Sequence, residues 1–316
     1  MTRGAGCRGR GEGNGDGDMT KLTVRLCGST TVTLPDGSLV TDLGGIKPRQ
    51  ILEMLAISLG SPVPKDRLAD QLWNGEPPKS YIGTLESYVS LLRRRLGVGR
   101  GRTSAIATTS AGYVLDPTLV DVDLDEFRRL VQPTARTSAA TALARTEKAL
   151  ALMSGDLLAS EPYADWAITE RSLFTTEHAA ACRRAGEHAL ELARPDQAVE
   201  LARRAIAGDP ISETSWQLLM RAQLATGARN DALRAYAELR KTTINELGSE
   251  PGPASQALYR DILEADRDQA QAPATAHEVR TLLRLLRGAL DSYPGLELAT
   301  EDHGLLARAT QLVGAA

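Results

Sequence analysis

Apolar and polar residues alternate along 22–40, "LTVRLCGSTTVTLPDGSLV", which predicts short strands with a hairpin at Pro35-Asp36-Gly37. The period then lengthens. In 48–60, "PRQILEMLAISLG", Ile51, Leu52, Leu55 and Leu59 share one side of a helix closed by Gly60. A second short helix is expected over 63–75, with Pro64 near its first turn and Leu68, Leu72 and Trp73 as its apolar side. After the break "EPPKS", the segment 81–97, "YIGTLESYVSLLRRRLG", is amphipathic again. Alternation returns over 101–116, with Ala111-Gly112 as the tip of a hairpin.

From 123 onward the pattern is helical and repeats itself. Ala198 and Ala232 stand 34 residues apart, the period of tetratricopeptide repeats. Trp216, Leu219, Gly227, Ala232 and Tyr236 fall where that repeat places Trp, Leu, a turn Gly, Ala and an aromatic. Gly186, Ala198, Ala205 and Pro210 occupy matching places in the unit before. Two units make no solenoid by themselves, so flanking helices near 140–153 and 161–179 are expected to complete the core. A core position for Trp216 would make its truncation to Ala cost about 3–5 kcal/mol. A polar linker over 264–276, an amphipathic basic helix over 277–293 and a last short helical stretch follow, an extension expected to pack loosely or to bind a partner.

Charge changes the picture more than composition does. The 316 residues carry a net −3, yet 19–118 hold 12 Lys and Arg against 8 Asp and Glu. Within 79–102 there are six basic residues and one acidic, Glu86. A basic patch on one domain of an acidic chain points to a polyanion. The stretch 1–18 is Gly-rich and nearly devoid of apolar residues, so disorder is expected there; Met19 opens the first folded stretch and offers a second place for translation to start. No apolar run reaches membrane-spanning length, and no signal-peptide core precedes the fold. Cys7, Cys27 and Cys182 are too scattered for a disulfide framework or a zinc site.

The third predicted helix concentrates the candidate chemistry. At 100° per residue, Ile82, Leu85, Val89, Leu92 and Leu96 form a stripe expected to be buried, and Gly83, Ser87 and Arg94 lie opposite. A helix that enters a major groove needs small or hydrogen-bonding residues outward near its N-terminal half and cations on its flanks. Gly83, Thr84, Ser87 and Arg94 meet the first need. Arg93 and Arg95 leave along opposite flanks, and Tyr88 could donate to a phosphate. Lys65 and Arg67 open the preceding helix, Lys79 precedes this one, and Arg100, Arg102, Thr108 and Thr109 sit where a wing would approach DNA. The bland alternative for the arginine triplet is complementation of the helix C-terminal dipole.

Strands, three helices and a hairpin, then helices only, give the expected fold class: an α+β winged helix-turn-helix domain followed by an all-α TPR-like helical domain. The expected division is a tail at 1–18, a DNA-binding domain at 19–118, a helical domain at 119–265 and an extension at 266–316. A small α+β domain with no DNA role is the rival at this level. The residues themselves narrow the choice. "GGIKPRQILEMLA", "VPKDRLADQLWNG", "SLLRRRLG" and "IATTSAGYVLD" resemble the OmpR-type DNA-binding domain of the Streptomyces antibiotic regulatory proteins (SARPs). "VDLDEFRRLV", "YADWAITERSLF" and "ARRAIAGDPISETSWQLLMRAQLATG" resemble the bacterial transcriptional activation domain that follows it, over about 20–265 in all.

The resemblance implies a cytoplasmic, nucleoid-associated transcriptional activator of a secondary-metabolite gene cluster, without enzymatic activity or cofactor. Its implied partners are double-stranded promoter DNA with direct repeats near the −35 element, a second protomer side by side, and RNA polymerase, met through its sigma factor and the C-terminal domain of its alpha chain. No membrane is implied. Family helices often read Arg-Asn-Thr-Leu where this chain has Ile82-Gly83-Thr84-Leu85, and many carry Arg where Leu91 stands, so specificity here is expected to lean on Thr84, Ser87, Arg94 and DNA shape. The chain has no GxxxxGK[ST] motif, so ATP binding is not expected. An enzyme is the first rival function, but His178, His188, His277 and His303 lack ligand spacing and Ser154-Gly155 lacks a nucleophile elbow. A purely helical adaptor is the second.

Overall fold

The structure, a computed structural model, describes residues 21–99, 104–134 and 137–271. The tail 1–18, Met19, Cys7, Arg100, Arg102 and the helices expected beyond 276 lie outside the described residues. Strands β1 (Leu22–Arg25), β2 (Thr31–Thr33) and β3 (Leu39–Val40) form an antiparallel meander, with Val24 opposite Val32 and Val32 opposite Val40. Leu22 and Val24 point inward and Thr23 and Arg25 outward, as strict alternation requires. Gly37, at φ +83°, makes the turn between β2 and β3, and the Asp36 carboxylate accepts from the Ser38 amide.

Helices α1 (Ile46–Ile57), α2 (Lys65–Leu72) and α3 (Tyr81–Arg95) pack against one another, and β4 (Ile106–Thr109) and β5 (Gly112–Leu115) form a separate two-stranded hairpin that α1 also touches. The sheet gains a fourth strand from further along. β6 (Val120–Val122) runs parallel to β1, giving the order β3-β2-β1-β6. This strand lies beyond the expected boundary at 118, so the first domain's sheet is closed by residues whose pattern assigned them to the second.

The helical part begins directly at β6. It comprises α4 (Asp123–Val131), α5 (Ala139–Leu152), α6 (Asp165–Glu191), α7 (Pro195–Gly208), α8 (Glu213–Ala225) and α9 (Arg229–Leu247). Pro195 opens α7 and Gly248, at φ +67°, ends α9 in the left-handed conformation. The repeat pattern holds at the small residues: Ala198, Ala205 and Ala232 are fully buried, and a Cβ on Gly186 would lie 2.7 Å from Leu218 Cδ2. Two details differ. The helix expected over 161–179 and the one bearing Gly186 are a single α6 of 27 residues. Trp216 is half-buried rather than central, its Nε1 donating to the Pro210 carbonyl at 2.9 Å.

One apolar core runs from the sheet through the three helices into α4–α7. From Pro253 a second unit begins with α10 (Pro253–Gln271), so the polar stretch expected as a linker from 264 is helical as far as Gln271.

Candidate nucleic-acid interface

Helix α3 sits on the core through Leu85, Val89, Leu92 and Leu96, all buried. Ile82, expected as the fifth member of that stripe, is 47% exposed. It lies in the first turn, where α3 projects past the residues that cover the later turns. Opposite the core, Gly83, Ser87 and Arg94 are exposed as the wheel predicts, and Thr84 is half-exposed. A Cβ added to Gly83 would meet nothing within 4 Å. The Thr84 hydroxyl donates to the Ser80 carbonyl at 3.3 Å and that of Ser87 to the Gly83 carbonyl at 2.9 Å. Both protons are committed to the helix, so each oxygen faces outward as an acceptor.

The three consecutive arginines have three different surroundings. Arg93 turns onto the hairpin: its Nε and one terminal nitrogen donate to the Ile106 carbonyl at 3.0 and 2.7 Å, and that nitrogen also reaches the Thr108 hydroxyl at 2.8 Å. It braces the wing against α3. Arg95 pairs with Asp42 at 3.1 Å on the surface. Arg94 is exposed, and its guanidinium makes no hydrogen bond or ion pair among the described residues.

The other candidates divide in the same manner. Lys65 pairs with Glu86 at 2.8 Å and lies 5.5 Å from the centre of the Tyr113 ring, and the Glu86 hydrogen bond raises its pKa. Arg67 and Lys79 are exposed, and Tyr88 is half-buried at the side of α3. Thr108 is exposed near the wing tip, whereas Thr109 accepts from Ala111 N at 3.2 Å and donates to the Gly112 carbonyl at 3.1 Å, holding the turn. The hairpin is fixed to the start of α2 by mutual bonds between Val63 and Tyr113, at 2.7 and 3.1 Å. Gly112 permits that approach, because a Cβ there would stand 2.0 Å from the Val63 oxygen. Helix, wing and the N-terminus of α2 are thus joined by hydrogen bonds into one cation-bearing face.

A second constellation has no counterpart among the sequence-level expectations. At the seam between the sheet and the helical part, the Asp123 carboxylate accepts from the amides of Leu26, Cys27 and Leu124 at 2.8–3.0 Å. Burial raises its pKa against the opposing pull of those donors. Nearby, Arg49 reaches Glu161 at 2.6 Å, Gln50 donates to the same carboxylate at 2.7 Å, and the Thr30 hydroxyl donates to Glu53 at 2.5 Å. Glu53 is fully buried, and burial pushes its pKa to about 7. The available signal was a Glu flanked on both sides by apolar residues in "ILEML".

His178 lies 5.7 Å from the Phe174 ring centre and 6.3 Å from that of Phe127, and burial lowers its pKa. Among the described residues no cluster of His, Cys, Asp and Glu could hold a metal ion, and no helix is long and apolar enough to cross a membrane. Cys27 and Cys182 are buried free thiols.

A winged helix feeding directly into paired helices is the architecture of a regulator of transcription, a class in which the protein does no catalysis. Residues 45–115 match the family described as "Transcriptional regulatory protein, C terminal", and 122–263 match "Bacterial transcriptional activator domain". The chain belongs to the Streptomyces antibiotic regulatory protein (SARP) family. It is 32% identical to the regulatory protein DnrI of Streptomyces peucetius, over 76% of this chain and 93% of that one. To the regulatory protein AfsR of Streptomyces griseus it is 29% identical, over 74% of this chain and 24% of the much longer relative. Among solved structures, Mycobacterium tuberculosis EmbR in complex with a low-affinity phosphopeptide superposes with a TM-score of 0.68 at 27% identity, covering 78% of this chain and 65% of that one.

Proposed function

We propose that this SARP-type regulator binds promoter DNA in a sequence-specific manner, activates a secondary-metabolite gene cluster, and does so in the cytoplasm on the nucleoid. One observation carries the reading. α3 presents an open outward face whose exposed guanidinium, Arg94, has no partner among the described residues, while Arg93, Arg95 and Lys65 are engaged around it. A helix about 10–12 Å across fits a major groove of about 12 Å, and the wing beside it would meet the adjacent phosphates. Arg94, Thr84 and Ser87 are the base-reading candidates, and Arg67, Lys79, Tyr88 and Thr108 the backbone ones. Within the proposed domain limits, the DNA-binding unit extends through Val122 so as to include β6.

Two protomers side by side on direct repeats, near the −35 element, follow from head-to-tail use of one reading surface. The helical domain is then the part placed to meet RNA polymerase, through its sigma factor and the C-terminal domain of its alpha chain. DNase footprinting and gel shifts on the intergenic regions of the chain's own gene cluster test the reading. It expects protected direct repeats, and log affinity falling with log salt by roughly 0.9 per phosphate contact. Absence of binding to any such promoter at low salt would reject it.

A further inference from the structure

Helix-turn-helix proteins touch base edges mainly through the N-terminal residues of the reading helix. The first turn of α3 offers four residues, and three of them have no free hydrogen-bond donor to present to a base edge. The Tyr81 hydroxyl donates to Asp66 at 2.7 Å, Gly83 has no side chain, and the Thr84 hydroxyl donates to Ser80. Ile82 remains, 47% exposed and beside the open space at Gly83. A branched aliphatic side chain neither donates nor accepts a hydrogen bond. An exposed Ile there gains nothing from water, and the one apolar group on a major-groove edge is the 5-methyl of thymine.

We infer that Ile82 is a specificity-determining residue that reads a thymine methyl group in each half-site. The inference rests on the proposed role of α3 as the groove-reading helix. It makes the site's chemistry concrete: a thymine at the first turn, with the hydroxyl oxygens of Thr84 in that turn and of Ser87 one turn on able to accept from an exocyclic amine of adenine or cytosine.

The test uses the full chain and a duplex chosen by selection from random sequence. Each thymine of the best half-site is replaced in turn by deoxyuridine, which lacks only the methyl, and affinity is measured by fluorescence anisotropy at fixed salt. One thymine is expected to lose about fourfold in affinity on this change. Ile82→Ala is expected to bind the thymine site about as weakly as the uracil one and to stop distinguishing them, while Ile82→Val keeps part of the preference. Because Ile82 is exposed, both variants should unfold at the same denaturant concentration as the parent, which keeps the comparison clean. A selected half-site without thymine, no response at any thymine, or an equal response in Ile82→Ala would overturn the inference while leaving specific binding intact. Failure to bind any duplex specifically would overturn the reading of α3 and this inference together.

Discussion

Arg93, Arg94 and Arg95 are neighbours in sequence, yet their surroundings give them separate tasks. Arg94 is the exposed, unengaged one, so Arg94→Ala should weaken specific DNA binding by about 1–3 kcal/mol with no change in the unfolding midpoint. Gel shifts on specific and scrambled duplexes decide its role: selective loss marks a base contact, and uniform loss marks a phosphate contact. Arg93 behaves differently. Its charge-assisted bonds to the Ile106 carbonyl tie the wing to α3, so Arg93→Ala should cost about 1 kcal/mol after allowance for partial solvent screening, with faster amide exchange across 106–115. Unchanged exchange there would deny the brace. The Arg95–Asp42 pair is exposed on both sides and contributes little.

At the scale of elements, close approach of backbones sets the tolerances. Gly112 lets the wing strand β5 lie against Val63, at a φ of +139° that disfavours any side chain. Gly112→Ala should therefore destabilise the first domain by about 2–4 kcal/mol in urea unfolding and weaken DNA binding through displacement of the wing. A neutral substitution would mean that the strand pairing at Val63 is dispensable. In the helical domain the half-buried Trp216 pins the Pro210 loop, so Trp216→Ala should cost about 1–2 kcal/mol rather than the 3–5 expected of a core tryptophan. The heptad-like spacing of α3 was legible because four of its five stripe residues pack on the core. Ile82 was not, since periodicity records which side of a helix a residue occupies but not where along its length the core ends.

At the scale of the whole molecule, the seam between sheet and helices carries the buried carboxylates Glu53, Asp123 and Glu161. Glu53 has an ordinary carboxylate value of 4.5 that burial raises to about 7, with Glu161 adding to the rise and Thr30 and Arg49 opposing it. The folded chain therefore holds a proton that the unfolded chain releases at lower pH. Its contribution to stability is complete below about 4.5 and is lost as pH rises through about 7, a swing of roughly 3 kcal/mol at most. Denaturant midpoints measured from about pH 5 to 8 should fall for the parent and stay flatter for Glu53→Gln; equal slopes would place the titration elsewhere. Asp123 acts at the same seam. Asp123→Ala would strand buried amides of Leu26 and Cys27, so calorimetry should show a loss of about 2–3 kcal/mol.

The strands, three helices and hairpin of the first domain, the winged-helix class, the helical character of the rest and the outward residues of α3 were legible in the amino-acid sequence. Each follows from local periodicity, turn chemistry or small residues at fixed spacing. The place of Val120–Val122 in the first sheet was not, because parallel pairing with β1 joins positions about 100 residues apart that no local pattern connects. The folded chain also settles which cations are free. Arg93, Arg95 and Lys65 look alike in a string of basic residues, and what separates them from Arg94 is the distance to Ile106, Asp42 and Glu86, which exists only once the chain has folded.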